Sequence, residues 1–404
     1  MEAMTNTADR GRDLVVFIDL LVDDLSLTSD EELVAGAIEQ YGSLRAALGD
    51  LDAEIEAAIS SAGKERLAKA RANIVDDAEK NRSARSIDPT EVQKQLADFV
   101  ASHKTFAKMT LAARNGKGSA QNDILSALTD LCELRQLNES TPLPDFGSVP
   151  KAEYILKHLG IETPDDIDVE AIARHLGARV RYDQLSQCEA RIVGDQDAAI
   201  ITIDRSVSLQ RQRFSICHEL GHWIYHRGQL LSCQADDIEL PSADSNNLER
   251  AADRFASELL MPSYLFAPIA ESLGPPSMRV IQKLSEVFRT SKTATAIRLV
   301  EINQRPLCLV NHSKNGRRWF ARSKTVASRW TPNYELRSEN TAFGMIFGKS
   351  PSALPPRSVS ASAWFDRRDA SRFNVIEDSL RIAPSEVMTL LAFKEQKEFL
   401  AYSE

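Results

Sequence analysis

No run of about 18 apolar residues occurs in the 404-residue sequence, so no membrane span is expected. The opening MEAMTNTADRGRD is not a signal peptide. Cysteine is scarce. The five present follow no framework spacing, which excludes a disulfide scaffold and suggests a reducing cytosol. A cytoplasmic protein is the expectation. An excess of positive charge is also missing. With 49 Lys and Arg against 58 Asp and Glu, the net charge of −9 excludes a chain that coats nucleic acid uniformly. What is present is an apolar share of 43 %, ample for ordinary cores, in a length that predicts two or three domains.

The charge is uneven. Residues 1–60 hold 14 acidic and 3 basic side chains, whereas residues 64–118 hold 12 Lys and Arg against 7 Asp and Glu. Residues 13–62 read as helices. Phe17, Leu20, Leu21 and Leu25 share a face, Glu31–Tyr41 and Leu44–Ile59 follow, and turns fall at 28–30 and 41–43. Gly63–Asn81 reads as a charged helix and Pro89–His103 as an amphipathic one. The basic, glycine-containing stretch at 108–118 precedes another helix. Arg114, Lys117 and the helix start at 121–124 can face phosphates, which makes 104–124 one candidate for DNA contact. No clear helix-turn-helix signature accompanies it, and an internal docking or dimerisation role is the favoured reading. Residues 1–145 are thus expected to be an all-α region, with a split into two modules near 63–80 as an option. The segment NESTPLPDFGSVP at 138–150 is the expected domain boundary.

The chemistry concentrates at 211–226, RQRFSICHELGHWIYH. His218-Glu219-Leu220-Gly221-His222 is an H-E-x-x-H pattern. On a helix, positions i and i+4 share a face about 6 Å apart, so two imidazoles can reach one Zn²⁺ with the glutamate beside the open coordination position. The metal lowers the pKa of bound water towards ~7, and Glu219 can take its proton. Phe214, Ile216, Leu220, Trp223 and Ile224 give the helix a buried side. Gly221, costly in mid-helix by ~1 kcal/mol, is expected to permit close approach of another backbone.

A third ligand in the metzincin pattern would need glycine at 225 and histidine at 228. Tyr225 and Gly228 stand there, excluding that form. His226, at i+8, lies ~12 Å along the axis from His218 on a regular helix, too far for the same ion. The better candidate is in SNNLERAADRFASELLMP, 245–262. Ser245 or Asn246 can cap this helix, and Pro262 ends it. Glu249 can complete a His₂Glu site, and Asp253, four residues on, can accept the second ring N–H of a ligand histidine. Glu258 is the rival carboxylate, expected to face solvent.

RQRFSICHELGHWIYH followed by ERAADRFASELLMP resembles the ImmA/IrrE family of zinc metallopeptidases. The resemblance covers about residues 150–300, with a looser match towards the C-terminal end. It implies a gluzincin-like enzyme in which His218, His222 and Glu249 are the zinc ligands and Glu219 the general base. Family members cleave DNA-binding repressors, releasing genes for stress response or mobile-element transfer. The chain departs from the pattern by carrying about 145 residues ahead of the peptidase region, so substrate and trigger do not carry over directly.

The rest of the peptidase region, 150–304, reads as α+β. Short helices are expected at Lys151–Leu159 and at Val169–Leu176 with Asp168 as cap, and strands at Arg179–Tyr182, Glu189–Val193 and Ala198–Ile203. Gly194-Asp195 marks a hairpin. Either of the last two strands can border the cleft and pair with an extended substrate. Cys188 or Cys233 can block the open zinc position until oxidised, against the favoured reading of inert thiols; Cys217 points off the ligand face. Arg211 and Arg213 can bind a substrate carboxylate or pair with Asp204 or local carbonyls. Residues 279–303 have the outline of a helix-turn-helix joined at Arg289-Thr-Ser and are the second candidate for DNA contact, with packing against the zinc helices preferred.

Residues 305–404 read as an appended mixed α/β, strand-rich module. An Asn-Gly hairpin falls between Leu307–Asn311 and Arg318–Arg322, and closing strands at Val375–Ile382 and Glu386–Phe393. Trp319, Trp330, Trp364 and Phe365 either fill its core, the preferred reading, or line a sensor pocket.

The expectation is a zincin-like core of a small mixed sheet packed on two zinc helices. The function expected is that of a zinc endopeptidase acting on a specific regulatory protein such as a repressor, in stress response or in mobile-element or toxin–antitoxin control. Zn²⁺ is favoured by His₂Glu, with Mn²⁺ as the alternative. A non-catalytic DNA- or protein-binding regulator with a structural or vestigial zinc site is the rival, and an intact Glu219 speaks against it. A third option makes the N-terminal region a fused antitoxin- or repressor-like partner, with self-cleavage near 138–150. Oligomeric state is not legible.

Overall fold

The computed structural model describes residues 30–84, 129–130, 133–134, 151–185, 188–194, 198–225, 247–348 and 350–394. The candidate DNA contact at 104–124, the boundary at 138–150, the caps at 245–246, His226 and Cys233 lie outside these residues. The chain divides into two compact units, Met1–Ala62 and Gly63–Glu404.

In the first unit, helix α1 (Asp30–Tyr41) stops at Gly42. This residue takes φ +77° and returns its N–H to the Ile38 carbonyl at 2.9 Å. Helix α2 (Leu44–Ala84) runs unbroken for 41 residues. The separate helices expected over Leu44–Ile59 and Gly63–Asn81 are therefore one. Gly63 does not interrupt it, because its missing side chain serves a contact: a Cβ there would lie 2.4 Å from the Gly160 nitrogen and 2.8 Å from the His158 carbonyl oxygen.

From Gly63 onward, α2 is a wall of the second unit. Leu67 and Ala70 are buried in its core. Lys64 pairs with Glu162 at 2.7 Å and Arg71 with Asp168 at 2.8 Å. Asp77 holds both Arg174 (2.8 Å) and Arg179 (3.0 Å). Helix α3 (Ala152–His158) and helix α4 (Val169–His175) follow, and the Asp168 carboxylate caps α4 by accepting the Ala171 N–H at 3.1 Å.

Strands β1 (Ala178–Asp183), β2 (Ala190–Gly194) and β3 (Ala199–Asp204) form a mixed sheet in the order β1-β3-β2, parallel on one side of β3 and antiparallel on the other. All six β3 residues are buried. Ile201 and Ile203 face the main core, while Ile200 meets Leu134 and Val193 on the opposite side. There Asp130, fully buried, accepts the Thr202 hydroxyl at 2.9 Å and pairs with Arg181 and Arg191. Because β3 is central, the 198–203 segment has both edges taken and cannot receive an extended peptide. Of the two candidate strands, β2 is the one with an edge that no strand covers among the described residues.

Helices α5 (Leu209–Tyr225), α6 (Asn247–Leu260), α7 (Ser263–Ser272), α8 (Met278–Phe288) and α9 (Lys292–Ile302) complete the peptidase region. Arg289 ends α8 in the left-handed conformation (φ 53°), and Ser291 caps α9 by accepting the Ala294 N–H at 3.1 Å. The helix-turn-helix outline at 279–303 is thus present as a shape. Its second helix, however, buries Thr295, Ala296, Leu299 and Val300, and Arg298 spends its guanidinium on the Met261 carbonyl and the Ser263 hydroxyl, both at 3.0 Å. The packing preferred for 279–303 is therefore observed on this face, while Lys292 and Glu301 remain exposed on the other.

Strands β4 (Leu307–Ser313), β5 (Gly316–Arg322), β6 (Arg357–Ser360), β7 (Asn374–Ala383) and β8 (Glu386–Phe393) make an antiparallel sheet, β5-β4-β8-β7-β6, with helix α10 (Thr341–Phe347) on it. Gly316, at φ +106°, makes the expected Asn-Gly turn. One face sends Leu307, Leu309, Met388 and Leu390 into the core that also holds Ile216 and Phe255 of α5 and α6. The other packs Val310, Val375, Leu391 and Phe393 around Trp330, Trp364 and Phe365. Trp330 meets Phe365 and Phe393 edge-on, each at 5.2 Å between centroids. These rings fill a core rather than line a pocket; Trp319 is half-buried against the other face. Glu377 is buried behind them. Its Oε1 accepts the Thr341 N–H, its Oε2 accepts the Trp364 indole N–H at 2.9 Å, and Arg357 stands 3.5 Å away. Among the described residues no helix is long and apolar enough to cross a membrane.

Candidate metal centre

Helix α5 is buried continuously from Ser215 to Trp223. Ile216 and Leu220, one turn apart, enter the main core with Cys217, and the Trp223 indole N–H donates to the Leu176 carbonyl at 2.9 Å. These contacts lock the helix about its own axis and so fix where His218, Glu219 and His222 point. Gly221 sits against α6. A Cβ there would come within 2.9 Å of Ala252 Cα, so the two helices touch backbone to backbone at this level. That closeness brings the short carboxylate of Glu249, one turn before Asp253, within reach of the histidines.

Three ligand atoms converge. His218 Nε2 and His222 Nε2 are 3.1 Å apart, and Glu249 Oε2 lies 3.3 Å from the first and 3.4 Å from the second. Ligands held ~2.0–2.1 Å from a common tetrahedral centre are separated by roughly 3.3 Å, so this triangle has the size a small divalent ion requires. The donor set matches as well. His218 Nδ1 faces Asp253 Oδ1 at 2.9 Å, so its N–H donates there and the Nε2 lone pair is left for the triangle. Among the described residues His218, His222 and Glu249 are the group that could hold a metal ion. When they also carry a proton at Nε2, the two imidazoles hold the Glu249 carboxyl far below the usual carboxylate range, chiefly by hydrogen bonding.

The site is closed behind and open in front. The histidine side chains are 7 % and 1 % exposed, whereas Glu249 and Asp253 are 31 % and 33 % exposed. Glu219 lies deepest of the carboxylates, at 2 % exposure, and its Oε2 has no hydrogen-bond partner among the described residues. Burial pushes its carboxyl up from the ordinary range, against the pull of His218 and His222. A buried carboxylate oxygen without a donor is unusual enough to require a reason, and a substrate or water site beside the triangle supplies one.

The other residues considered from sequence do not join the triangle. Glu258 is half-buried elsewhere on α6, Cys188 is half-buried at the entry to β2, and neither is part of the ligand group. Cys217 is fully buried, which pushes its thiol up to about 12 and makes it inert. Arg211 pairs with Glu189 rather than Asp204, and Arg213 donates to the Ile167 carbonyl at 3.3 Å. Sequence reasoning missed Asp130 and its clamp on Arg191, since a carboxylate 61 residues away carries no local signal.

Residues 173–300 match the family model described as the IrrE N-terminal-like domain, Peptidase_M78. No curated protein matches the chain. Among solved structures, a Mycobacterium tuberculosis transcriptional regulator is similar at 17 % identity and a TM-score of 0.41, over 63 % of this chain and 90 % of that one.

Proposed function

We propose, from the match of residues 173–300 to the IrrE N-terminal-like domain model, that the protein is a zinc-dependent endopeptidase acting on a specific regulatory protein. The observation that carries this reading is the triangle of His218, His222 and Glu249 with the partnerless oxygen of Glu219 beside it. A structural zinc site needs four filled positions and no base. Here three side chains converge and a fourth, acidic and unsatisfied, stands next to them.

His218, His222 and Glu249 would hold the ion; two imidazoles and one carboxylate suit Zn²⁺, with Mn²⁺ the alternative. When bound, the ion supplies Lewis acidity that polarises water and the scissile carbonyl. Glu219 takes the proton of the attacking water and then delivers it to the leaving amine. Its burial suits the first of these steps, because a carboxyl pushed up from the ordinary range is a stronger base and takes the water's proton more readily than an exposed one. Asp253 keeps His218 in one tautomer and one orientation. The edge of β2 that no described strand covers offers backbone N–H and C=O groups to an extended substrate, which fits cleavage within a protein chain. A transcriptional repressor is the substrate class that the sequence resemblance suggests.

The test pairs metal analysis with proteolysis. Wild type and Glu219→Gln are purified, bound metal is quantified, and each is incubated with repressor-like proteins encoded beside the gene. One zinc per chain in both, with cleavage by wild type alone, is expected. Cleavage by Glu219→Gln would overturn the assigned base, and absence of stoichiometric metal in both would overturn the site.

A further inference from the structure

A cavity of about 450 Å³ opens between the first turns of α8 and the C-terminal sheet, well away from the metal triangle in sequence. Its floor is apolar: Val280 from the helix, and Leu390 with its flanking Ala392 and Ile376 from β8 and β7. Two cations, Arg279 and Lys283, line it from one face of α8, four residues apart. Both are exposed, and neither makes an ion pair among the described residues. The acid in the lining is Asp378. It is buried, and its Oδ2 already accepts the Met278 N–H at 2.7 Å, so it serves the start of α8 rather than the two cations.

Pro275, Pro276 and Pro356 form part of its wall, each with φ fixed by its ring. Ile281 and Leu284 anchor α8 in the main core, and Leu390 is itself core. A preformed recess of this size with an apolar floor and a few charged groups at one side is how small-molecule sites are built.

We propose that this cavity binds a small amphiphile with an acidic head and an alkyl tail. Arg279 and Lys283 hold the anion, and Val280, Ile376 and Leu390 cover the apolar part. The site lies outside the peptidase chemistry and stands or falls independently of it.

Isothermal titration calorimetry on the full-length chain tests this with decanoate, decyl phosphate and 1-decanol. These share one tail and differ in the head, and no cleavage is measured. At least one anion is expected to bind at one site per chain, at least about tenfold more tightly than the alcohol. The stronger of the two decides between carboxylate and phosphate. Arg279→Ala combined with Lys283→Ala, both surface changes, should weaken the anion by about tenfold or more and leave 1-decanol unaffected. Ile376→Trp, at a half-exposed position, should fill the recess and remove binding of all three. No binding by either anion, equal affinity for the alcohol, or unchanged anion affinity in the double variant would each overturn the proposal.

Discussion

The peptidase region and the C-terminal sheet each bury a glutamate, and they treat it in opposite ways. Glu377 is 1 % exposed and has both oxygens engaged, by a backbone N–H and an indole N–H, with an arginine nearby. Glu219 is 2 % exposed and leaves Oε2 without a donor. The first is a carboxylate that finishes a structure. The second is one for which the fold keeps a place but provides no complement, and the missing partner is what a reacting water or substrate would supply. Burial alone therefore does not mark a functional acid; at Glu219 it is joined by a partnerless oxygen and by the neighbouring triangle of His218, His222 and Glu249.

The same isosteric change at both positions breaks the comparison most sharply. Glu219→Gln should lower peptidase activity by roughly 10²–10⁴-fold, the range of a lost general base. Metal content and melting temperature should be unchanged or slightly higher, because a buried charge without a donor has been removed. Next in size, Asp253→Ala leaves the His218 tautomer unheld and should weaken zinc binding by about 10–100-fold in a competitive chelator titration. Glu377→Gln should leave metal binding and cleavage alone. It places an amide N–H₂ against a donor, however, and should destabilise the protein by about 1–3 kcal/mol in chemical denaturation.

The smallest effect concerns pH. His312 is 1 % exposed on β4, with Nε2 3.3 Å from the Asn333 carbonyl oxygen, and burial lowers its pKa from 6.5 to about 4. Between those values the unfolded chain takes up a proton that the folded one refuses. Stability should therefore fall as pH drops from 6.5 towards 4, by on the order of 1–2 kcal/mol between pH 7 and 5. His312→Gln should make that part of the denaturation profile less steep, with His175, which burial also lowers to about 4, keeping a share of the slope.

The candidate site was more legible than the architecture around it. H-E-x-x-H and the Glu249–Asp253 pair announce themselves because both depend on the i, i+4 geometry of a single helix, and Gly221 stood out as a glycine where helices disfavour one. The short strands and the Asn-Gly hairpin were readable for the same local reason. What escaped was set by distant partners. Gly63 read as a break because its contact, the backbone at 158–160, is nearly a hundred residues away. The 305–404 module read as appended because alternation along β4 and β8 shows that both faces are apolar, but not that one face joins the core of α5 and α6. Arg279 and Lys283 carried no signal of their own, because the sheet that floors the recess beside them comes from residues about a hundred positions away.

The C-terminal half of α2 has a consequence for gene shuffling. The proline-rich stretch at 138–150 looks in sequence like the natural seam at which a peptidase could be recombined with a new leader. A chimera joined there would leave behind Leu67, Ala70 and Asp77, so that Arg174 and Arg179 would lose their counter-ion and the backbone at 158–160 would lose the glycine it rests on. A crossover just ahead of Gly63 keeps every one of these contacts. The inheritable module is thus longer than the catalytic motif suggests, and its first residue is a glycine in the middle of a helix.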